Sequence, residues 1–182
     1  MEKRKYTIED IYALPEHERA ELIKGEMYKM PMPGTIHQRI VGFLGCTILD
    51  YFKETGIKDE VFMSRMAVFL SEGQGQDTYV EPDITVICDP KRLDEKGCHG
   101  APDWIVEVVM PSSRRMDYLN KPTLYIESGV REYWIVDPDR KEITTYEKKD
   151  ERFLIKYKFG EPVQVGLYEG LEITIDPEIC EI

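Results

Sequence analysis

Two acids and one amine stand where an ordinary core would not place them. Trp104 to Val109 (Trp-Ile-Val-Glu-Val-Val) is a short apolar run broken only by Glu107, and its length and β-branched content predict a strand buried on both faces. Side chains alternate along a strand, so Glu107 shares a face with Ile105 and Val109, while Trp104, Val106 and Val108 point the other way. An ionised carboxylate among aliphatic groups is strongly unfavourable unless a cation or hydrogen-bond donors meet it. A second run, Ile84 to Cys88, has Asp83 at its mouth after Pro82, and a proline without a ladder N–H suits the start of a strand. If the two strands are neighbours, both carboxylates come within reach of one divalent ion. Oxygen ligands suit Mg²⁺ or Mn²⁺, which one or two carboxylates can hold while water and a substrate phosphate complete the shell. The amine comes from a predicted helix over Arg114 to Ser128, ended by Gly129. On it Asp117, Lys121 and Tyr125 follow at i, i+4 and i+8, stacked on one face. Such a set serves metal-assisted hydrolysis of a phosphoester.

Behind these residues stands a frame. Tyr133 to Val136 reads as the next buried strand, so Trp104 to Val136 predicts strand, helix, strand, a right-handed crossover if the strands are parallel. The motifs Pro82-Asp83, APDWIVEV, Pro-Ser-Ser at 111 to 113, D-x-x-x-K-x-x-x-Y and GVREYWIVDP resemble those of the Uma2 family (DUF820), a branch of the restriction-endonuclease-like PD-(D/E)XK superfamily. The likeness extends over nearly the whole chain, because ELIKGEMYKM at 21 to 30 and the segment around His37 resemble the family's amino-terminal half.

The resemblance implies an α/β restriction-endonuclease-like core, a central mixed sheet flanked by helices, with extra antiparallel strands near both ends of a single domain, 1–182. It implies a metal-dependent DNA endonuclease in which Asp83 and Glu107 hold Mg²⁺ or Mn²⁺, helped by a carbonyl of Val108 or Val109, and Lys121 assists the attacking water or the transition state. Glu21, His37, Asp117 and Tyr125 are then neighbours of the site, nucleic acid the partner, and a homodimer the working form. One departure is plain. The superfamily pattern has a lysine two residues after the strand glutamate; Val109 stands there, and Lys121 is the replacement, with Pro122 directly after it to bend the helix or delay its start. The alternatives are a non-catalytic interaction domain that kept the fold and its acids, and a hydrolase of a non-nucleic phosphoester.

Composition narrows the class. The chain has 182 residues, 24 Lys and Arg against 35 Asp and Glu, and a formal charge of −11, which argues against tight non-specific binding to a phosphate backbone. Arg114, Arg115, Lys121 and Arg131 form the one candidate basic patch. The charged opening MEKRKYTIED has no apolar signal core, and no run approaches a membrane span, so a cytoplasmic protein is expected. Cys46, Cys88, Cys98 and Cys180 lack zinc-site spacing and read as reduced thiols. Ser112 and Ser113 lack a nucleophile elbow and read as helix caps.

In chain order, Thr7 to Asp10 resembles a capping box for a helix over Ile8 to Ala13. Ala20–Ile23 and Glu26–Met30 predict a hairpin turning at Lys24-Gly25. Thr35 is the expected cap of a helix with Ile36, Ile40, Phe43, Leu44, Ile48 and Tyr51 as its core stripe. Val61 to Ser71 predicts a strand that turns at Gly73 to Gln76 and returns to Asp83, while Asp89 to Pro102 predicts a loop beside the site. Glu142–Glu147, Phe153–Tyr157 and Leu171–Ile175 predict a closing meander.

Overall fold

Trp104 and Trp134, both fully buried, meet edge to face at 5.2 Å in the centre of the computed structural model of the protein, which describes residues 4–64, 66–71, 77–148 and 152–181. They lie on neighbouring parallel strands, β8 (Trp104–Val108) and β9 (Glu132–Asp137). The chain reaches them through α1 (Ile8–Tyr12), β1 (Ala20–Ile23), β2 (Glu26–Lys29), α2 (Thr35–Thr55), β3 (Glu60–Met63), β4 (Val68–Ser71), β5 (Thr78–Val80), β6 (Ile84–Ile87) and β7 (Cys98–His99). Between β8 and β9 lies α3 (Lys121–Ser128), and after β9 come β10 (Glu142–Glu147), β11 (Arg152–Lys158), β12 (Val163–Gln164) and β13 (Glu172–Ile173).

Two larger sheets result. One is six-stranded and mixed, in the order β11-β10-β9-β8-β6-β3; the other is five-stranded, β2-β1-β5-β4-β7. The expected crossover is present, since β8 and β9 are parallel and α3 joins them. The alternation read along β8 holds as well. Trp104, Val106 and Val108 pack with Ile40, Leu44 and Ile48 of α2, whereas Ile105 and Val109 pack with Leu124 and Tyr125 of α3 and with Val68 and Val80 of the second sheet. The face that carries Glu107 therefore looks into the space between the two sheets.

Several local expectations are corrected. Gly34, not Thr35, precedes the first turn of α2, and Phe43 on that helix is 38% exposed rather than core. The segment Val61 to Ser71 is split between sheets, β3 pairing with β6 and β4 with β5, and the turn expected at Gly73 to Gln76 falls outside the described residues. Leu171 to Ile175 does not extend the meander, because β13 pairs with β12 in a separate ribbon. The stretch from Asp89 to Pro102 contains a short 3₁₀ turn at Pro90–Arg92 and β7, and it contributes no residue to the cleft described below. By contrast, the hairpin turns where expected, with Lys24 and Gly25 both at positive φ (52° and 76°), the geometry that matches strand twist in a two-residue turn.

Pro122 leaves its mark on α3. The five residues before α3, Met116–Asn120, form a π-helical turn. A proline inside a helix removes one i to i−4 bond and pushes on the preceding carbonyl, and a widened turn relieves both effects.

Glu132, at the start of β9, ties the carboxy-terminal segment to the central sheet. Its buried carboxyl accepts hydrogen bonds from Trp134 Nε1 at 2.7 Å, Leu167 N at 2.9 Å and Gly166 N at 3.2 Å. Burial outweighs these donors and pushes the group from 4.5 up to about 7. A carboxyl whose folded pKa is raised binds its proton more tightly in the folded state. Its contribution is fully present below the unfolded value and is lost as pH climbs through about 7. Relative to Glu132→Gln, wild-type unfolding free energy should therefore fall by about 3 kcal/mol between acid and mildly alkaline pH. Urea titrations of both proteins across that range check it.

Candidate active site

The register of β6 and β8 brings the two acids together. Ile84 pairs with Val106 and Thr85 with Ile105, so Asp83, the residue just before β6, comes to the end of the ladder beside Glu107, where the two carboxylates repel each other. Asp83 Oδ2 accepts the backbone N–H of Val108 at 2.8 Å and pairs with His37 Nε2 at 3.0 Å. His37 comes from the first turn of α2. Glu107 Oε1 accepts from Tyr125 Oη at 2.7 Å and from Lys121 Nζ at 2.9 Å.

The Lys121 amine is the centre of the cluster. Besides Glu107 it meets Glu21 Oε2 at 3.0 Å and Asp117 Oδ1 at 3.8 Å. Glu21 belongs to β1 of the other sheet and is fixed by the N–H of Glu81, 3.1 Å from its Oε1. Asp117 is fixed by Ser113 Oγ at 2.5 Å; the serine, expected as a helix cap, instead accepts from Met110 N and donates to the Asp117 carboxylate. Of the seven residues singled out from the sequence, Glu107, Lys121, Glu21, Asp117 and Tyr125 form one cluster of hydrogen bonds and ion pairs, and Asp83 and His37 form a pair beside it that Glu107 feels as charge. Five of them, Glu21, Asp83, Glu107, Asp117 and Lys121, line a cleft of about 320 Å³.

Two residues escaped the sequence reading. Glu81 lines the same cleft and is engaged by Arg19 and by Tyr79 Oη. The signal was present in Val-Glu-Pro-Asp, where an acid two residues before Asp83 in extended chain shares its side. Arg19 carried no such signal. The proposed basic patch does not assemble at the cleft, because Arg114 is tied to Asp137 and Asp139 and Arg131 to Asp103.

Charge in the cleft is out of balance. Glu107 is driven well above the usual carboxylate range, first by burial and then by Asp83, Glu21 and Asp117, against the pull of Lys121. Asp117 is raised by burial as well. Desolvation acts to lower Lys121, yet Glu107, Glu21 and Asp117 together hold it well above its ordinary value, so the amine stays protonated. Tyr125 is likewise raised, by burial and then by Glu107, and remains a neutral donor. Four carboxyls facing one ammonium must take up either protons or a further cation.

The donor set fits a hard divalent ion held by few protein ligands. Among the described residues no three His, Cys, Asp or Glu side chains form a ready cage. The hydrogen bonds of Asp83 end on Oδ2 and those of Glu107 on Oε1. These are oxygen donors, a chemistry that fits a hard divalent ion and not a closed zinc site.

The architecture is shared with a protein of known structure. It superposes on the crystal structure of a "putative nuclease belonging to DUF820" from Anabaena variabilis with a TM-score of 0.76 at 21% identity, over 95% of this chain and 97% of that one. The chain belongs to the Uma2 family, described as "Putative restriction endonuclease", whose model matches residues 8–176. An uncharacterized protein of Synechocystis is 26% identical over 88% of this chain and 83% of its own length.

Removing the amine should be costly for folding. Lys121→Met leaves Glu107, Glu21 and Asp117 buried without their counter-charge and is expected to destabilise the protein by about 3–5 kcal/mol at neutral pH. The loss should shrink on acidification as those carboxyls take up protons. Chemical denaturation of both proteins at neutral and acid pH checks this.

Proposed function

We propose that the protein is a metal-dependent endonuclease that hydrolyses phosphodiester bonds of DNA in the cleft between the two sheets. The observation that carries this reading is the neighbouring acids Asp83 and Glu107 beside a buried ammonium in a cleft with excess negative charge. Asp83 and Glu107 would hold Mg²⁺ or Mn²⁺, which when bound polarises a phosphoryl oxygen and acidifies coordinated water. The chain's own groups do the rest. His37 and the Val108 N–H aim Asp83, Tyr125 aims Glu107, and Lys121 offers a fixed positive charge beside the place where negative charge develops on the phosphoryl group.

A second reading has an observation of its own. Lys121 is engaged by two carboxylates within 3.0 Å, a self-neutralised cluster that a non-catalytic nuclease-fold interaction domain would also show. By kinship with restriction-like enzymes, which cut both strands as pairs, the working form is proposed to be a homodimer, and light scattering that gives a monomer mass would remove that part. Among the described residues no helix is long and apolar enough to cross a membrane.

Purified protein should nick and linearise plasmid DNA with Mg²⁺ or Mn²⁺ and be silent in chelator. Asp83→Ala, Glu107→Ala and Lys121→Ala should each lower the rate at least about 10²-fold, with circular dichroism confirming folded variants. Cutting that survives Glu107→Ala in a folded protein would defeat the assignment. Calorimetry that detects no Mn²⁺ binding would favour the interaction domain.

A further inference from the structure

A second groove, of about 540 Å³, adjoins the carboxylate cleft and shares Pro31, Met110 and Ser112 with it. Its walls are apolar: Pro31 and Met32 from the segment between β2 and α2, Val109 to Pro111 beyond β8, and Pro138 after β9. Met32 stands 85% exposed at its mouth. A soft, unbranched side chain of this kind is one that nucleic-acid proteins insert between bases.

The floor of the groove is polar. Gly34, Thr35, Ile36 and His37 line it, and they are the amino end of a 21-residue helix that has no side-chain cap and no acid in its first turn. The leading N–H groups of a helix have no partner within it, and with the helix dipole they favour an anion. A second, independent feature lies at the same place. His37 is 6% exposed; its Nε2 is committed to Asp83, and its Nδ1 is a buried polar atom without a hydrogen-bond partner. Assigned from the bond to the Asp83 carboxylate, the proton sits on Nε2 and Nδ1 is an acceptor that needs a donor. The one acid lining this groove, Asp139, is paired with Arg114 at 2.9 Å.

We propose, on the basis of the nuclease reading, that this groove takes one nucleotide flanking the scissile bond, unstacked from its neighbours. Its phosphate lies on the N–H groups that open α2, its sugar and base lie against Met32, Met110 and Pro111, and a hydroxyl or amino group of that nucleotide donates to His37 Nδ1. The substrate class that follows is nucleic acid with an unpaired residue at the cut, preferred over continuous duplex. Charge points the same way. Tracking a duplex needs a basic face, whereas this chain carries −11, Lys29 is paired with Glu18, and Lys121 and Arg114 are engaged internally.

The test is fluorescence anisotropy with the wild-type protein in chelator, using a continuous duplex, the same duplex with one unpaired central nucleotide, and the single strand. The last two spare the complex the unpairing step and should bind about tenfold tighter or better, and 2-aminopurine at the unpaired position should brighten on binding. Two variants separate the site from the fold. Met32→Glu adds a charge to an exposed lip. Gly34→Asp caps α2, where an added Cβ meets nothing within 4 Å, and so should hold or raise the melting temperature while blocking the phosphate. Each should weaken binding of the unpaired substrate about tenfold. Equal binding of all three nucleic acids, or variants that bind as wild type does, would overturn the inference; duplex cleavage without preference would do so while leaving the nuclease reading intact. Failure to bind any of the three, both in chelator and with Ca²⁺ added, would sink both.

Discussion

One buried ammonium holds the centre of this protein together. Lys121 is almost completely desolvated, and three carboxyls from three separate elements, β1, β8 and the helix before α3, converge on it. Neither the amine nor the acids would tolerate that environment alone. Each makes the others' positions acceptable, so the network is as much a folding constraint as a chemical one. It also explains why two sheets that share no strand pairing approach each other here. Glu21 reaches across from the smaller sheet because the cation is on the other side.

The larger sheet then does what a side-chain network cannot, which is to fix the acids at set spacing. Antiparallel pairing of β6 with β8 brings Asp83 to the end of the ladder beside Glu107, and parallel pairing of β8 with β9 leaves α3 to lie over the same face. The Trp104 and Trp134 pair fills the opposite face against α2, and that helix returns His37 to Asp83 by its first turn. The first turn of the helix that packs against the tryptophans thereby holds one of the two acids at the end of the sheet.

Much of this was legible in the sequence, for a physical reason. A charged residue inside a β-branched run is a local violation of burial rules, and local violations can be read without knowing the partner. Glu107 announced itself this way, and strand alternation gave its face. The i, i+4, i+8 stack gave the amine. What stayed hidden depends on which strands pair at long range. Nothing local in Val61 to Ser71 says that its two ends join different sheets, and nothing in Leu171 to Ile175 reveals that β12 rather than β11 is its partner. Arg19 was invisible because a surface arginine acquires meaning only when a distant acid such as Glu81 is brought to it. Gly34 took the cap position expected of Thr35 because a cap is decided by where the backbone turns, and a one-residue slip is indistinguishable from sequence.

The π turn at Met116–Asn120 carries a consequence for how this helix can change length. Such a turn is an α-helix with a residue to spare, so shortening the segment by a single residue would restore regular winding downstream of the turn without disturbing Lys121 or Tyr125. Everything upstream would swing by about 100° around the axis, taking Asp117 and its Ser113 tether out of phase with the cleft. The bulge therefore acts as a phase adjuster: it lets an amine-bearing helix keep its aim while the stretch that links it to the acid strand varies, which is the freedom a lysine needs if it is to stand on the helix rather than at the place Val109 occupies.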